Sequence, residues 1–162
     1  MFNKLESKIA DNKIDEAIDI VEELGSKKTV EAVHILIHHL LITKDVGLRN
    51  SIAIALADIG SKEAIEPLIS LLKNPNTIGN RGTILYALES FQCPEYIELF
   101  AELLCEDSFE VSRQALILID SHLKNISRET KERCIKIIQK KIERISDQKQ
   151  FLIDSLEELG WD

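Results

Sequence analysis

Seven glutamates fall at places that align when the predicted helices of the chain are superposed, and carboxylates in rows are suited to bind a charged partner. The first four share one equivalent position and the other three lie in adjacent rows: Glu31, Glu66, Glu98 and Glu132, then Glu63, Glu95 and Glu102. In the two central hairpins they alternate with aliphatic residues, so we expect them to face outward. Such rows concentrate negative potential and speed the capture of a basic protein. The alternative, left open, is that glutamate is simply a good helix former on a solvated face.

Two histidines have a spacing that can ligate a metal. His34 and His38 are four residues apart, so two imidazoles on one helix face can chelate one ion, and Glu31 lies on the same face. The sequence places no further carboxylate or Cys to complete the coordination shell. A packing role on a mostly buried helix is therefore favoured. We predict no metal and no other cofactor, while metal binding by this pair stays open.

Nucleophilic and redox chemistry have weak support. Cys93, Cys105 and Cys134 are odd in number and lack Cys-x-x-Cys spacing, which indicates neither a zinc site nor a disulfide framework. Cys105 and Cys134 fall at core-facing helical positions without a nearby base. No glycine-rich phosphate loop is present, and no carboxylate pair stands in a hydrophobic setting that would raise its pKa. The sequence therefore predicts a binding protein rather than an enzyme.

The elements that must position these residues repeat along the chain. Arg49, Arg81 and Arg113 follow one another at steps of 32 residues. Apolar residues repeat with them: Ile52, Leu56 and Ile59; Ile84, Leu88 and Phe91; Leu116 and Leu123. A second apolar block repeats at the same interval: Ile65, Leu68, Leu71 and Leu72; Ile97, Phe100, Leu103 and Leu104. A fixed period of this length indicates stacked supersecondary units.

The repeat divides the chain into helical hairpins. We place them at about residues 12–45, 46–77, 78–109 and 110–145, after a short opening helix and before a capping helix over 147–160. Their second helices are predicted at Lys27–Thr43, Lys62–Lys73, Pro94–Glu106 and Arg128–Arg144. Gly25, Gly60 and Gly160 suit the left-handed residue that ends a helix, and Ser61 suits an N-cap. The loops are short and no linker is apparent, so residues 1–162 are predicted to form a single domain.

The best-defined hairpin carries a family resemblance. The segment Val46-Gly-Leu-Arg49, with Ala53, Ala55 to Ser61, Ala64-Ile65, Pro67-Leu68 and Leu71-Leu72, resembles the short HEAT-like repeats first described in phycobilisome lyases. The resemblance spans residues 46–106. It implies an all-α, right-handed α-α superhelix, a HEAT-like solenoid of about four to five helical hairpins. It also implies that second helices line a concave face, which would hold the glutamates.

The resemblance also implies roles for the arginines. In HEAT-like repeats, arginines at the places of Arg49, Arg81 and Arg113 bond helix ends and neighbouring acids, so we favour that role over recognition of a ligand's carboxylate. Such repeats serve lyases, glycosylases, adaptors and inhibitors alike, and the family does not decide the function.

Composition and charge narrow the partners. A chain of 162 residues with 44% hydrophobic residues folds, and its net charge of −8 argues against binding nucleic acid. The basic segment Arg128–Arg144 is predicted to be a solvated helix face that pairs with its own Glu129 and Glu132. Met1–Asp11 lacks the apolar region of a signal peptide, and the apolar run Ile35–Ile42 is too short to span a bilayer. We expect no membrane partner and a bacterial cytoplasmic location.

Three interpretations of function remain. In the first, the acidic concave face docks a basic protein, most concretely as an immunity or antitoxin-like inhibitor that covers the cationic cleft of a bacterial toxin nuclease. In the second, the chain is a chromophore lyase-type subunit, although that activity needs an apolar pocket and aromatic residues are sparse. In the third, it is a regulatory or assembly adaptor with a peptide ligand. The sequence does not separate the third interpretation from the first.

Overall fold

The computed structural model describes the backbone of residues 1–159 and the side chains of residues 1–147 and 149–151. Over this range every regular element is a helix. The α-helices are α1 (Phe2–Ala10), α2 (Ile14–Ser26), α3 (Val33–Ile42), α4 (Val46–Ile59), α5 (Ile65–Lys73), α6 (Gly82–Leu88), α7 (Ile97–Leu104), α8 (Phe109–His122) and α9 (Arg128–Leu159). Single 3₁₀ turns lie at Val30–Ala32, Lys62–Ala64, Pro75–Thr77, Pro94–Tyr96 and Leu123–Asn125. The predicted all-α, solenoid-type fold class is confirmed.

The helices group into two compact units, an N-terminal unit over Met1–Cys93 and a C-terminal unit over Pro94–Asp162. In the N-terminal unit, α2, α4 and α6 pack side by side, while α3 and α5 pack on each other and on that row. In the C-terminal unit, α7 packs against both α8 and α9. First helices therefore form one layer of the N-terminal unit and second helices the other. The assignment of the whole chain to a single domain stays a prediction.

Second helices share one local design, which α5 illustrates. Leu68, Ile69 and Leu72 are buried, whereas Glu66 and Ser70 on the same helix are exposed. Apolar residues at these spacings form one face of an α-helix, and that face is covered by the first helices. The predicted segment begins with a 3₁₀ turn rather than an α-helical turn, and the same is true of the segments before α3 and α7. Such turns are frequent at helix N-termini.

Helix α4 has clear stop signals at both ends. The Oδ1 atom of Asp45 accepts a hydrogen bond of 2.8 Å from the N–H of Leu48, which satisfies one of the free donors of the first turn. At the other end Gly60 has φ of 76° and its N–H donates to the carbonyl of Leu56. The prediction of a left-handed glycine at this place is confirmed. Ser61 stands at the N-cap of the next turn, but its side chain makes no capping bond.

The prediction that Gly25 ends α2 is wrong. The helix continues through Gly25 to Ser26, and the left-handed residue is Lys28, with φ of 50°. Lys28 lies 32 residues before Gly60, so the period extends one hairpin further towards the N-terminus. The glycine has a different purpose: a Cβ at residue 25 would lie 2.8 Å from the Cα of Ala55. Gly25 thus lets α2 approach α4 closely.

The predicted core of α8 is also wrong. Leu116 and Leu123 are 54% and 44% exposed, whereas the buried residues of α8 include Val111, Ala115 and Leu118. The buried set is displaced by one position from the 32-residue register. One residue turns a helix by about 100°, which is enough to exchange its buried and exposed faces.

Helix α9 is longer than predicted. The sequence predicts a second helix that ends at Arg144 and a separate capping helix from about residue 147, but α9 continues from Arg128 to Leu159. The segment between them, Ile145–Lys149, contains neither Gly nor Pro, so nothing in it breaks the helical hydrogen bonds. The predicted stop at Gly160 and the closing Trp161 lie outside the described residues.

Candidate functional site

The 3₁₀ turns change how the seven candidate glutamates align. Glu31, Glu63 and Glu95 each occupy the middle of such a turn, at steps of 32 residues, and all three are exposed. Glu66 and Glu98 form the next row at the same interval, and His34 takes the corresponding place in the first hairpin. The predicted equivalence of Glu31 with Glu66 is therefore wrong. It rested on aligning Gly25 with Gly60, whereas Lys28 is the true counterpart of Gly60.

In the N-terminal unit these rows bring His34 and Glu63 together. The Nδ1 atom of His34 lies 3.5 Å from Oε2 of Glu63, and both side chains are largely exposed. This contact joins the second helices of consecutive hairpins at the surface. Glu31 and Glu66 are exposed on the same two hairpins. The N-terminal unit thus exposes three of the candidate glutamates, Glu31, Glu63 and Glu66, on two consecutive hairpins.

In the C-terminal unit two of the candidate glutamates, Glu98 and Glu132, form ion pairs with arginines of the basic segment Arg128–Arg144. Arg133 Nε donates a hydrogen bond of 2.8 Å to Glu98 Oε1, and Arg128 Nε donates one of 2.9 Å to Glu132 Oε1. The second pair has the predicted i,i+4 spacing, but the first joins α7 to α9. Glu95 is exposed and lines a cavity of about 360 Å³ together with Glu98 and Arg133.

Other members of the candidate glutamates and of the basic segment Arg128–Arg144 are also at the surface. Glu102 on α7 is exposed. Farther along α9, Lys141 Nζ lies 3.1 Å from Asp107 Oδ1. The basic segment is therefore partly neutralised by acidic residues of its own unit, as a solvated face would be. Three of its cations, Arg128, Arg133 and Lys141, have such partners.

The three periodic arginines have three different environments. Arg81 is buried and its guanidinium donates to the carbonyl of Asn74 at 3.2 Å, which satisfies the C-terminal end of α5. Arg113, in contrast, is exposed because of the one-residue displacement in α8. The hydroxyl of Ser112 donates to the carbonyl of Glu106 at 2.9 Å and satisfies the chain after α7 instead. The predicted helix-end role therefore holds for Arg81 and is wrong for Arg113.

Arg49 matches neither of these. It is only 6% exposed, and its Nε and Nη2 atoms have no hydrogen-bond partner among the described residues. It lines a cavity of about 400 Å³ in the N-terminal unit. The predicted bond from Arg49 to a helix end or a neighbouring acid is absent from the described part of the chain. Sequence analysis gave no sign of this difference, because the 32-residue step makes Arg49 and Arg81 look alike.

The histidine and cysteine side chains are the candidate metal ligands and nucleophiles of the chain. Among the described residues no three His, Cys, Asp or Glu side chains converge as metal ligands, and His34 and His38 are both exposed. His39 is the buried histidine of α3, and burial lowers its pKa, with a smaller contribution from His38. Burial raises the pKa of the Cys105 and Cys134 thiols. Raised thiol pKa values disfavour the reactive thiolate.

No helix in the described range is both long enough and apolar enough to cross a bilayer.

Helices that follow one another in hairpins, and that form two layers in the N-terminal unit, are those of a helical-repeat protein of the solenoid class. Residues 48–74 match the family described as PBS lyase HEAT-like repeat, so the chain carries a HEAT-like repeat of this family. The match covers α4 and α5 with the 3₁₀ turn between them. No curated protein and no solved structure matches the chain. Repeats of this kind are structural modules for protein interaction or for lyase-type subunits.

Proposed function

We propose that the chain is a non-catalytic protein-binding module whose glutamate-bearing second helices dock a basic protein. The observation that carries the proposal is the recurrence of Glu31, Glu63 and Glu95 at one exposed position of the 3₁₀ turns that precede α3, α5 and α7. Exposed carboxylates concentrate negative charge at the surface, which attracts a cationic partner and orients it.

The glutamates that already have partners can still contribute. Glu98 and Glu132 are held by Arg133 and Arg128 in ion pairs at the surface. Exposed pairs of this kind are worth only about 0–1 kcal/mol, because water screens them and both side chains lose freedom. Lysine or arginine side chains of a docked partner can therefore replace them at small cost. We expect Glu31, Glu95 and Glu102 to make the first contacts.

In its most concrete form the module is an immunity or antitoxin-like inhibitor of a bacterial toxin nuclease, acting in the cytoplasm. A nuclease needs a cationic cleft to bind phosphates. A protein with net charge −8 and repeated surface carboxylates is complementary to such a cleft. Charge complementarity speeds association, which an inhibitor of a toxic enzyme requires.

A chromophore lyase-type subunit and a regulatory or assembly adaptor are the alternatives. A pigment needs a largely apolar cavity. The cavities beside Arg49 and Arg133 are lined by charged, amide and hydroxyl groups as well as aliphatic ones. This lining favours the protein-binding proposal over the lyase alternative.

The test is an affinity capture from a lysate of the source organism with captured proteins identified by mass spectrometry. Wild type is compared with Glu31→Lys/Glu95→Lys, which reverses two exposed 3₁₀-turn carboxylates. The matched control is Asp19→Lys/Asp120→Lys, which makes the same change in net charge on the exposed sides of α2 and α8. Circular dichroism checks that all three proteins are folded.

We expect wild type and the control to capture the same basic protein and the 3₁₀-turn variant to lose it. Inhibition of that protein's nuclease activity by wild type would establish the immunity form. A partner that all three proteins retain equally would contradict the proposal that the exposed glutamates bind it. A visible absorption band on the purified chain would support the lyase alternative instead.

A further inference from the structure

We propose that the cavity beside Arg49 is a binding site for a small organic oxyanion, a carboxylate or a phosphate ester, whose charged group pairs with the guanidinium. This inference goes beyond the glutamate surface and does not depend on it. The cavity has a volume of about 400 Å³ and lies wholly within the N-terminal unit. That volume is in the range of small-molecule sites.

Three segments of the repeat build the cavity. The end of α3 and the loop after it supply Leu41, Ile42, Thr43 and Lys44; α4 supplies Arg49; the end of α5 and the turn after it supply Leu71, Asn74, Asn76 and Thr77. The cavity therefore lies where the loops of two consecutive hairpins come together, with the arginine on the helix that follows the first loop.

The state of Arg49 is what indicates an anion. A guanidinium stays protonated in proteins, so burial cannot neutralise it by proton loss. A buried charge is costly unless it is paired and hydrogen-bonded. Yet Nε and Nη2 of Arg49 have no hydrogen-bond partner among the described residues. Arg81, at the corresponding place in the next hairpin, is equally buried but bonds the carbonyl of Asn74 and the hydroxyl of Thr77.

In the described part of the chain no acidic residue pairs with the guanidinium of Arg49. The nine lining residues include two cations, Lys44 and Arg49, and neither Asp nor Glu. Asp45 is the nearest acid along the chain, but it does not line the cavity, and its Oδ1 accepts the N–H of Leu48 as the cap of α4. The local charge is therefore positive in a protein whose net charge is −8.

The shape of the guanidinium group indicates the ligand group. The Nε–H bond and one Nη2–H bond lie parallel along the same edge of a guanidinium. This edge matches two oxygens of a carboxylate or a phosphate, and such bidentate pairs are among the stronger hydrogen bonds in proteins. Lys44 provides a second, flexible positive charge. Leu41, Ile42 and Leu71 offer aliphatic surface, so a ligand with an apolar body fits better than an inorganic ion.

The test is a titration followed by amide nitrogen–proton NMR at fixed ionic strength, with benzoate, phenyl phosphate and neutral benzamide as probes. The amide resonances of residues 41–44, 74, 76 and 77, and the Nε–H resonance of Arg49, should shift with at least one of the two anions and not with benzamide. The comparison of benzoate with phenyl phosphate then distinguishes a carboxylate site from a phosphate site.

Three variants assign the effect to the cavity. Arg49→Gln should weaken binding of the preferred anion by about tenfold or more, because the bidentate pair is lost. Lys44→Gln, at an exposed residue, should weaken it by about twofold to fivefold. Arg113→Gln removes an exposed arginine at the predicted repeat position in α8 and should leave the affinity unchanged.

The proposal is overturned if neither anion shifts these resonances at concentrations on the order of 10 mM. It is equally overturned if benzamide shifts them as strongly, or if Arg49→Gln binds like wild type. Should Arg49→Gln fail to fold, Lys44→Gln decides the question, since an unchanged affinity in that variant would remove the cavity as the site.

Discussion

Lys28 and Gly60 end the first helices of consecutive hairpins, and both have a left-handed backbone, with φ of 50° and 76°. At Lys28 the N–H donates to the carbonyl of Gly25, and the next N–H, of Thr29, donates to that of Leu24. These two bonds form a Schellman motif. Glycine takes this conformation freely, whereas a residue with a Cβ is strained by about 1 kcal/mol. One hairpin therefore has a relaxed helix end and the other a strained one.

We expect Lys28→Gly to raise the free energy of unfolding by about 0.5–1 kcal/mol, because it removes this strain. Urea denaturation at constant pH measures the change. Lys27→Gly is the control: its backbone is right-handed, with φ of −82°, and it pairs with Glu23, so this change should lower stability. A Lys28→Gly protein less stable than wild type would contradict the motif.

Gly25 illustrates the opposite case, a glycine needed for space rather than for backbone freedom. Alanine is favoured over glycine within a helix by about 1 kcal/mol. A Cβ at this place would nevertheless meet Cα of Ala55 at 2.8 Å and Cβ of Ala55 at 2.9 Å, so the two helices must separate. We expect Gly25→Ala to lower the free energy of unfolding by about 1–3 kcal/mol in the same assay.

Gly47→Ala provides the comparison for that prediction. It also lies in a helix, but the nearest atom to its added Cβ is Oδ1 of Asp45, at 3.3 Å, which belongs to a side chain that can move. Its effect should stay within about 1 kcal/mol of zero. Equal losses from both substitutions would show that contact with Ala55 is not the cause.

At the scale of the helix, periodicity predicted the elements well where a hairpin keeps the 32-residue step. The prediction of a second helix over Lys62–Lys73 agrees with a 3₁₀ turn followed by α5 over the same residues. It failed in α8, where a displacement of one residue exchanges faces. Apolar residues at positions 116, 117, 118 and 119 allow either face to be the core, so the sequence does not select one. Packing against α7 makes the selection.

Two leucines test this displacement. Leu68 on α5 is fully buried, and Leu68→Ala should lower the free energy of unfolding by about 2–5 kcal/mol through lost transfer energy and a cavity. Leu116 on α8 is 54% exposed, and Leu116→Ala should change it by no more than about 0.5 kcal/mol. Thermal or urea denaturation of both variants decides the matter. If Leu116→Ala lowers the free energy of unfolding as much as Leu68→Ala does, α8 is not displaced from the 32-residue register.

For the whole molecule, the acidic composition predicted that carboxylates lie at the surface but not which cations they pair with. Periodicity alone indicated that the seven glutamates are exposed or partly exposed, as they are. The pair between Glu98 and Arg133 joins residues 35 positions apart and depends on how α7 meets α9. The cavity beside Arg49 likewise depends on how the loop after α3 meets the turn after α5. Contacts between hairpins cannot be predicted from the residue pattern of a single hairpin.

The glutamate surface leads to a prediction about rate rather than affinity. Steering by charge is screened by salt, because the Debye length falls from about 10 Å at 0.1 M to about 3 Å at 1 M. We expect the association rate with the captured basic protein to fall at least tenfold over that range, with a smaller change in the dissociation rate. Stopped-flow or surface-based kinetics measure both. An association rate independent of salt would remove electrostatic capture from the proposed function.

The displacement in α8 has a consequence for engineering the chain as a set of modules. Residues 46–77 and the hairpin after them share one step of 32, so a second copy of 46–77 inserted after residue 77 would present its arginine and its 3₁₀-turn glutamate in the existing rows. The same copy inserted after residue 109 would precede a helix whose buried set is one position out of step. We therefore expect the insertion after residue 77 to keep the rows in register.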